Sequence, residues 1–394
     1  ASASITDPTQ RAEFALSTLQ IWYNAGTGLW ETSGWWNSAN ILTMIGNLVK
    51  ADPENKRFRD LATRVFANTV TQAPVKNPQP GIESDVPSQK DTQRGKTSFT
   101  LFNETGSESG YTKVLNPDTF EPHSVFPDTW YKANSPYIDI SSLPIFSSLN
   151  DETDQITLAA TPNPADWLDG FYDDDLWWAL AWINAYDVTL NTQYLTLAEG
   201  IFAAVTKAWP TRCGNGGIFW NWEKEYMNAI ANELFLSTAA HLATRVDDDE
   251  KKDAYTDWAR RTLAWFLDSG MLNANGTIND GLTESCANNG GTTWSYNQGV
   301  ILGGLVEMHR ASPDDTSYLA LATRIAKAAL LDLSDANGVI HDVCEPACGF
   351  DGEQFKGIFM RNLGVLHAAA ADDVFGNAIS VNAESVWEND REGE

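Results

Sequence analysis

The sequence predicts an all-α fold in which two layers of helices are arranged concentrically. Three observations carry that expectation. Helical periodicity dominates the chain, and strand-type alternation is scarce. The helical segments are of two kinds, one apolar along a single stripe and one apolar nearly all round. The two kinds alternate along the chain. A helix apolar on most sides is buried on most sides, so the second kind should form an inner ring and the first an outer one.

The elements follow in order. Outer helices are read at residues 9–23, 55–70, 192–209, 250–267 and 316–333, each with its charges on one side. Inner helices are read at 35–49, 174–186, 226–244, 294–310 and 355–370, each opening with aromatic or amide residues. A sixth outer helix is expected at 383–388, on a weaker pattern. No sixth inner partner is found before Glu394, so either the sequence is clipped or the ring closes irregularly. Between about residues 71 and 165 the rhythm breaks into a stretch rich in Pro, Ser, Thr, Asn, Asp and Gly. A connection that long is functional or partly disordered. Phe120, Phe126, Trp130, Tyr131, Tyr137 and Phe146 are too many aromatics for a free linker. The stretch is therefore read as an ordered insertion, with short strands, that walls a cleft. Residues 1–394 are read as a single domain.

Composition narrows the partners. Lys and Arg number 26 against 53 Asp and Glu, a formal charge of −27. Nucleic acid and anionic membranes both need basic patches, so neither is expected. An apolar fraction of 43% is enough for a large core, and 16 tryptophans leave some to line a cleft. No apolar run approaches the roughly 18 residues of a membrane span. The chain opens ASASITDPTQ, without Met or a leader-like segment, which reads as a processed N-terminus. Asn103 and Asn275 each begin a glycosylation sequon. A monomer, secreted or associated with a cell wall, is expected. Cys344 and Cys348 could close a small ring, and Cys213 and Cys286 would then pair. Zinc is the rival reading of the cysteines, but the spacing lacks paired CxxC units. Neither metal nor cofactor is expected.

The stretch FYDDDLWWALAWINAY, residues 171–186, carries the chemistry. Asp173, Asp174 and Asp175 precede a helical run and are followed by Trp177 and Trp178. One Asp at a helix start is an ordinary cap. A second and third add repulsion without adding a cap. Paired carboxylates beside an aromatic wall are what glycoside hydrolysis uses. The other inner-helix openings supply amides and indoles at the same end of the ring: Trp35, Trp36 and Asn40; Tyr172; Trp220; Asn228, Asn232 and Glu233; Trp294, Asn297 and Gln298. Amides both donate and accept, as a polyhydroxylated sugar requires. The competing reading of Asn232, Glu233, Asn297 and Gln298 is structural, as buried groups bonding neighbouring helices.

YDDDLWWALAWINAYD, CGNGGIFW, NAIANELFL, TWSYNQGVILGGL and FKGIFMRNLGVL together resemble glycoside hydrolase family 76, the endo-α-1,6-mannanases, in their secreted fungal form. The resemblance spans about residues 20–50 and 165–390. It implies an (α/α)6 barrel, retaining hydrolysis of α-1,6-mannan or manno-oligosaccharides, and no metal. It makes Asp173 the nucleophile and Asp174 the general acid/base, and leaves Asp175 without a role. Adjacent aspartates at a helix start, before the backbone turns helical, could lean to one ligand at the roughly 5–5.5 Å that retention needs. Alternatives are a mannan transglycosidase, a mannan-binding protein without activity, or an (α/α)6 enzyme acting on another glycan.

Overall fold

The computed structural model describes residues 5–31, 33–79, 112–115, 122–125, 158 and 160–390. Inner helices are α2 (Trp35–Ala51), α4 (Tyr172–Thr189), α6 (Ala229–Ala243), α8 (Ser295–Ala311) and α10 (Phe355–Ala369). Outer helices are α1 (Pro8–Gln20), α3 (Lys56–Gln72), α5 (Thr192–Val205), α7 (Asp249–Asp268), α9 (Ser317–Leu333) and α11 (Asp373–Asn389). Each inner helix packs on the next, α2 on α4, then α6, α8 and α10. The structure is the α/α barrel that the alternation predicts. The inner helices are buried nearly all round: in α6 every residue but His241 is buried. The amphipathic α3 buries Phe58, Leu61, Val65 and Phe66 and exposes its charges.

The last outer helix is longer than expected, covering Asp373–Asn389 rather than 383–388. Its polar residues blur the stripe, but Asp372 caps it by accepting from the Val374 N–H at 2.9 Å. It closes the outer ring on α1. Phe14 meets Trp387 edge-on at 6.0 Å, and Arg11 pairs with Glu384 at 2.5 Å. Between α10 and α2 the inner ring is joined by Arg361, whose Nη2 donates to Asn40 Oδ1 at 2.8 Å. No described helix is long and apolar enough to cross a membrane.

Residues 71 and 72 belong to α3, so the irregular stretch begins a little later than expected. Asn77 donates to the carbonyls of Asp166 at 3.0 Å and Leu168 at 2.8 Å, so the stretch leaves and rejoins the barrel at one place. Within it, β1 (Thr112–Leu115) and β2 (Pro122–Val125) form an antiparallel hairpin, Thr112 opposite Val125. The aromatics expected to pack it down, and Asn103, lie outside the described residues. The cysteines pair as Cys213–Cys286 and Cys344–Cys348. The first ties the loop before α6 to the loop before α8.

Candidate active site

The amino ends of the inner helices meet at one mouth, and the loops before α4 and α6 are stitched together there. Helix starts carry backbone donors with no partner inside the helix. At α4 the Tyr172 N–H is satisfied by the Trp220 carbonyl at 2.9 Å, and the Trp222 N–H reaches the Gly170 carbonyl at 2.9 Å. The turn that delivers Trp220 depends on Gly217, at φ +70°, where an added Cβ would stand 2.3 Å from the Trp265 ring. This stitching sets the Trp220 indole over the acid run, where its Nε1 donates to Asp173 Oδ2 at 3.0 Å.

Asp173 and Asp174 are half-buried, and Asp175 is buried. They lie inside the first turn of α4, whose cap is Phe171, and not before the helical backbone as expected. Neighbouring side chains then point about 100° apart around the axis. The non-helical geometry that was to bring them together is therefore absent. Neither is the acid run a cap: α4 has no side-chain cap bond. Asp175 instead accepts from the Asp169 N–H at 2.9 Å, and Asp169 accepts from the Phe171 N–H at 2.9 Å.

Electrostatics set the protonation. Burial pushes Asp173 up to about 7, with Asp169 adding to the rise and the Trp220 N–H opposing it. Burial raises Asp174 well above the carboxylate range, and Asp169, Asp173, Asp351 and Asp175 push it further. The site therefore holds protons at neutral pH, and titrates as a group.

Aromatic walls flank the pair. Trp36 stacks on Trp177 at 5.7 Å and donates from Nε1 to Asp351 at 2.9 Å. Arg361 lies over the other indole, Trp177, at 6.0 Å. Phe171 meets Trp220 edge-on at 4.9 Å. Tyr296 stacks flat on Phe355 at 3.8 Å, and Trp294 meets Phe355 edge-on at 5.5 Å. Behind them Tyr226 donates to Asp280 at 2.5 Å and accepts from Asn289 at 2.9 Å.

The expected contact residues divide. Trp36, Trp220 and Trp294 are partly exposed at the mouth, and Trp177 is buried beneath Trp36. Trp35 and Tyr172 are core: Trp35 is buried against Trp167 and Trp178, and Tyr172 is fully enclosed. Asn40 is taken up by Arg361. Asn228 caps α6 through the Ala231 N–H at 3.3 Å. Asn232 clamps both backbone groups of Ile218, and Gln298 clamps those of Ile278 in the same way. For these two the structural reading holds. Glu233 and Asn297 are fully buried with no hydrogen-bond partner among the described residues, and burial raises Glu233 well above its usual range. Asp169, Asp280 and Asp351 were missed in the sequence, because each stands outside the long helices, away from a run of acids, and carries no repulsion signal.

Half-buried paired acids on an aromatic mouth, at one end of a helical barrel, are the arrangement expected of an α/α-barrel glycoside hydrolase. The similarities agree. Residues 118–394 match the family described as Glycosyl hydrolase family 76. The mannan endo-1,6-alpha-mannosidase DCW1 of Candida albicans is 27% identical over 212 residues, 49% of this chain and 46% of that one. The enzyme of the same name from Saccharomyces cerevisiae is 24% identical over 258 residues, 60% of this chain and 54% of that one. The chain thus spans about half the length of these relatives. In fold it is similar to an inactive variant of an α-1,6-mannanase from Salegentibacter sp. HEL1_6 in complex with α-1,6-mannotetrose. The TM-score is 0.62 at 16% identity, over 98% of this chain and 88% of that one. The chain belongs to glycosyl hydrolase family 76.

Proposed function

We propose that this chain is a retaining, endo-acting hydrolase of α-1,6-mannosidic linkages in mannan backbones. The observation that carries the reading is the adjacent acid pair in the aromatic mouth, with Trp220 bonded to Asp173 and leaving Asp174 in the more proton-retaining surroundings. Asp173 attacks the anomeric carbon as a carboxylate. Asp174 protonates the leaving oxygen, then takes a proton from the water that releases the glycosyl-enzyme. The names of the fungal relatives, and a structural neighbour inactivated by replacing two successive aspartates, support the assignment.

The experiment is incubation with linear α-1,6-mannan, following the anomer first released. Retention with internal cleavage is expected; inversion sinks the two-step route. Asp173→Asn and Asp174→Asn should each abolish turnover while keeping the wild-type fold, and full activity in either removes that residue from the site. An added acceptor sugar reads out transfer in place of hydrolysis. Two disulfides and the exposed sequon at Asn275 support a secreted, glycosylated protein. A mass loss on deglycosylation of protein from a secreting host tests this. A monomer is expected by light scattering.

A further inference from the structure

Asp169 precedes α4 and takes no part in the proposed reaction, yet it is built tightly into the mouth. It is 1% exposed. One oxygen accepts from the Phe171 N–H at 2.9 Å, and its own N–H donates to Asp175 Oδ1 at 2.9 Å. Its carboxyl is within hydrogen-bonding reach of both Asp174 and Asp175. Three carboxyls this close, Asp169 and Asp175 buried and Asp174 half-buried, do not all ionise. Burial raises Asp169 to about 7, but raises Asp174 and Asp175 further, so Asp169 is the first of the three to ionise. A backbone donor already holds it, and Asp174 and Asp175 can each present an O–H to it.

We propose that Asp169 is a positioning residue whose carboxylate keeps the catalytic proton on Asp174. This rests on the reading of Asp174 as the acid/base. In the first step Asp174 gives its proton to the departing sugar oxygen and becomes an anion beside the Asp169 anion. That repulsion makes Asp174 the stronger base for the second step. There it takes a proton from water, the remaining hydroxide bonds to the anomeric carbon, and Asp173 leaves. One neighbouring charge thus serves both halves of the cycle. The other charges facing Asp174 are Asp173 and Asp175 on α4 and Asp351 from the turn before α10. After burial itself, Asp169 raises Asp174 the most.

Asp169→Asn tests it, since the amide oxygen can still accept from Phe171. The basic limb of kcat/KM against pH should move down by about one unit or more. The acid limb should move the same way, because Asp169 also raises Asp173. A merely structural role would lower the whole profile without displacing it. Asp169→Ser, whose hydroxyl can also accept from Phe171, is the second variant should the first not fold. Independently of turnover, a 13C carboxyl titration identifies Asp174 by its loss in Asp174→Asn. The Asp174 signal should titrate at lower pH in either Asp169 variant. An unchanged titration overturns the proposal, whatever the activity. A wild-type chain that releases nothing from α-1,6-mannan sinks the hydrolase reading instead, and the carboxyl titration still decides the role of Asp169.

Discussion

Trp220 favours the charged form of Asp173 against the burial that disfavours it, so its removal has a definite sign. The indole N–H at 3.0 Å favours the carboxylate over the acid. Trp220→Phe keeps the ring against Phe171 but loses the donor. Asp173 should then ionise at higher pH, and the acid limb of kcat/KM should rise by about one unit, the equivalent of one hydrogen bond to a charged group. An unmoved acid limb would show that Asp173 is not the group titrating there. At this scale the acid pair was legible because repulsion along the sequence is itself a signal. Trp220 was legible as a residue of the mouth but not as the donor to Asp173, and Asp169 and Asp351 were not legible, since these contacts are made only through the connections between helices. Asn232 and Gln298 misled for a related reason. An amide that clamps a loop and an amide that reads a sugar look alike in a sequence.

Those amides make sense as parts of a repeated element. Asn232, Gln298 and Asn382 each hold the backbone of an isoleucine in a loop after a glycine: Ile218, Ile278 and Ile340, with N–H to oxygen distances of 2.8, 2.8 and 2.9 Å. Two residues beyond each isoleucine stand Trp220, Asp280 and Asp342, bonded to Asp173, Tyr226 and Ser295 respectively. The clamps therefore set the depth at which each loop presents its side chain to a helix mouth. Asn232→Ala should cost about 1–3 kcal/mol in chemical denaturation, since it strands the buried Ile218 groups. Packing between inner helices gives a second prediction. A Cβ at Gly299 of α8 would stand 2.6 Å from the Phe359 Cα of α10, whereas at Gly364 nothing lies within 4 Å. Gly299→Ala should lower Tm by forcing the helices apart, and Gly364→Ala should raise it, as a helix-interior glycine costs up to about 1 kcal/mol relative to alanine. The helices themselves were legible, because apolar periodicity is local. The glycine contacts and the clamps are between elements, and no window of sequence contains both partners.

Across the whole molecule, the two ends of the barrel respond oppositely to pH. At the carboxyl ends of α4, α6 and α8, Arg245 forks onto Asp187 with two bonds of 3.0 Å and reaches Glu307 at 2.5 Å. Burial alone would raise Glu307, but His241, Arg245 and Arg310 outweigh it and bring it down to about 2. A lowered carboxyl contributes stability above its unfolded pKa, and loses it as pH falls through the folded value. The mouth is the reverse. Asp169 and Asp173, raised to about 7 chiefly by burial, give stability that is full below the ordinary carboxylate range and is lost as pH rises through about 7. Tm should therefore peak near the ordinary carboxylate range, roughly pH 4–5, where both ends hold their preferred protonation. The general repulsion of a chain carrying −27 also grows with pH, so the peak alone does not isolate the mouth. A comparison with Asp173→Asn does. The amide oxygen can still accept from Trp220, while the ionisation that folding disfavours is gone. The variant should melt above the wild type at pH 8, and the gap should close as the pH approaches 4. An equal gap at both values would mean that Asp173 is not held protonated by its surroundings, and the account of a proton-retaining mouth would fail with it.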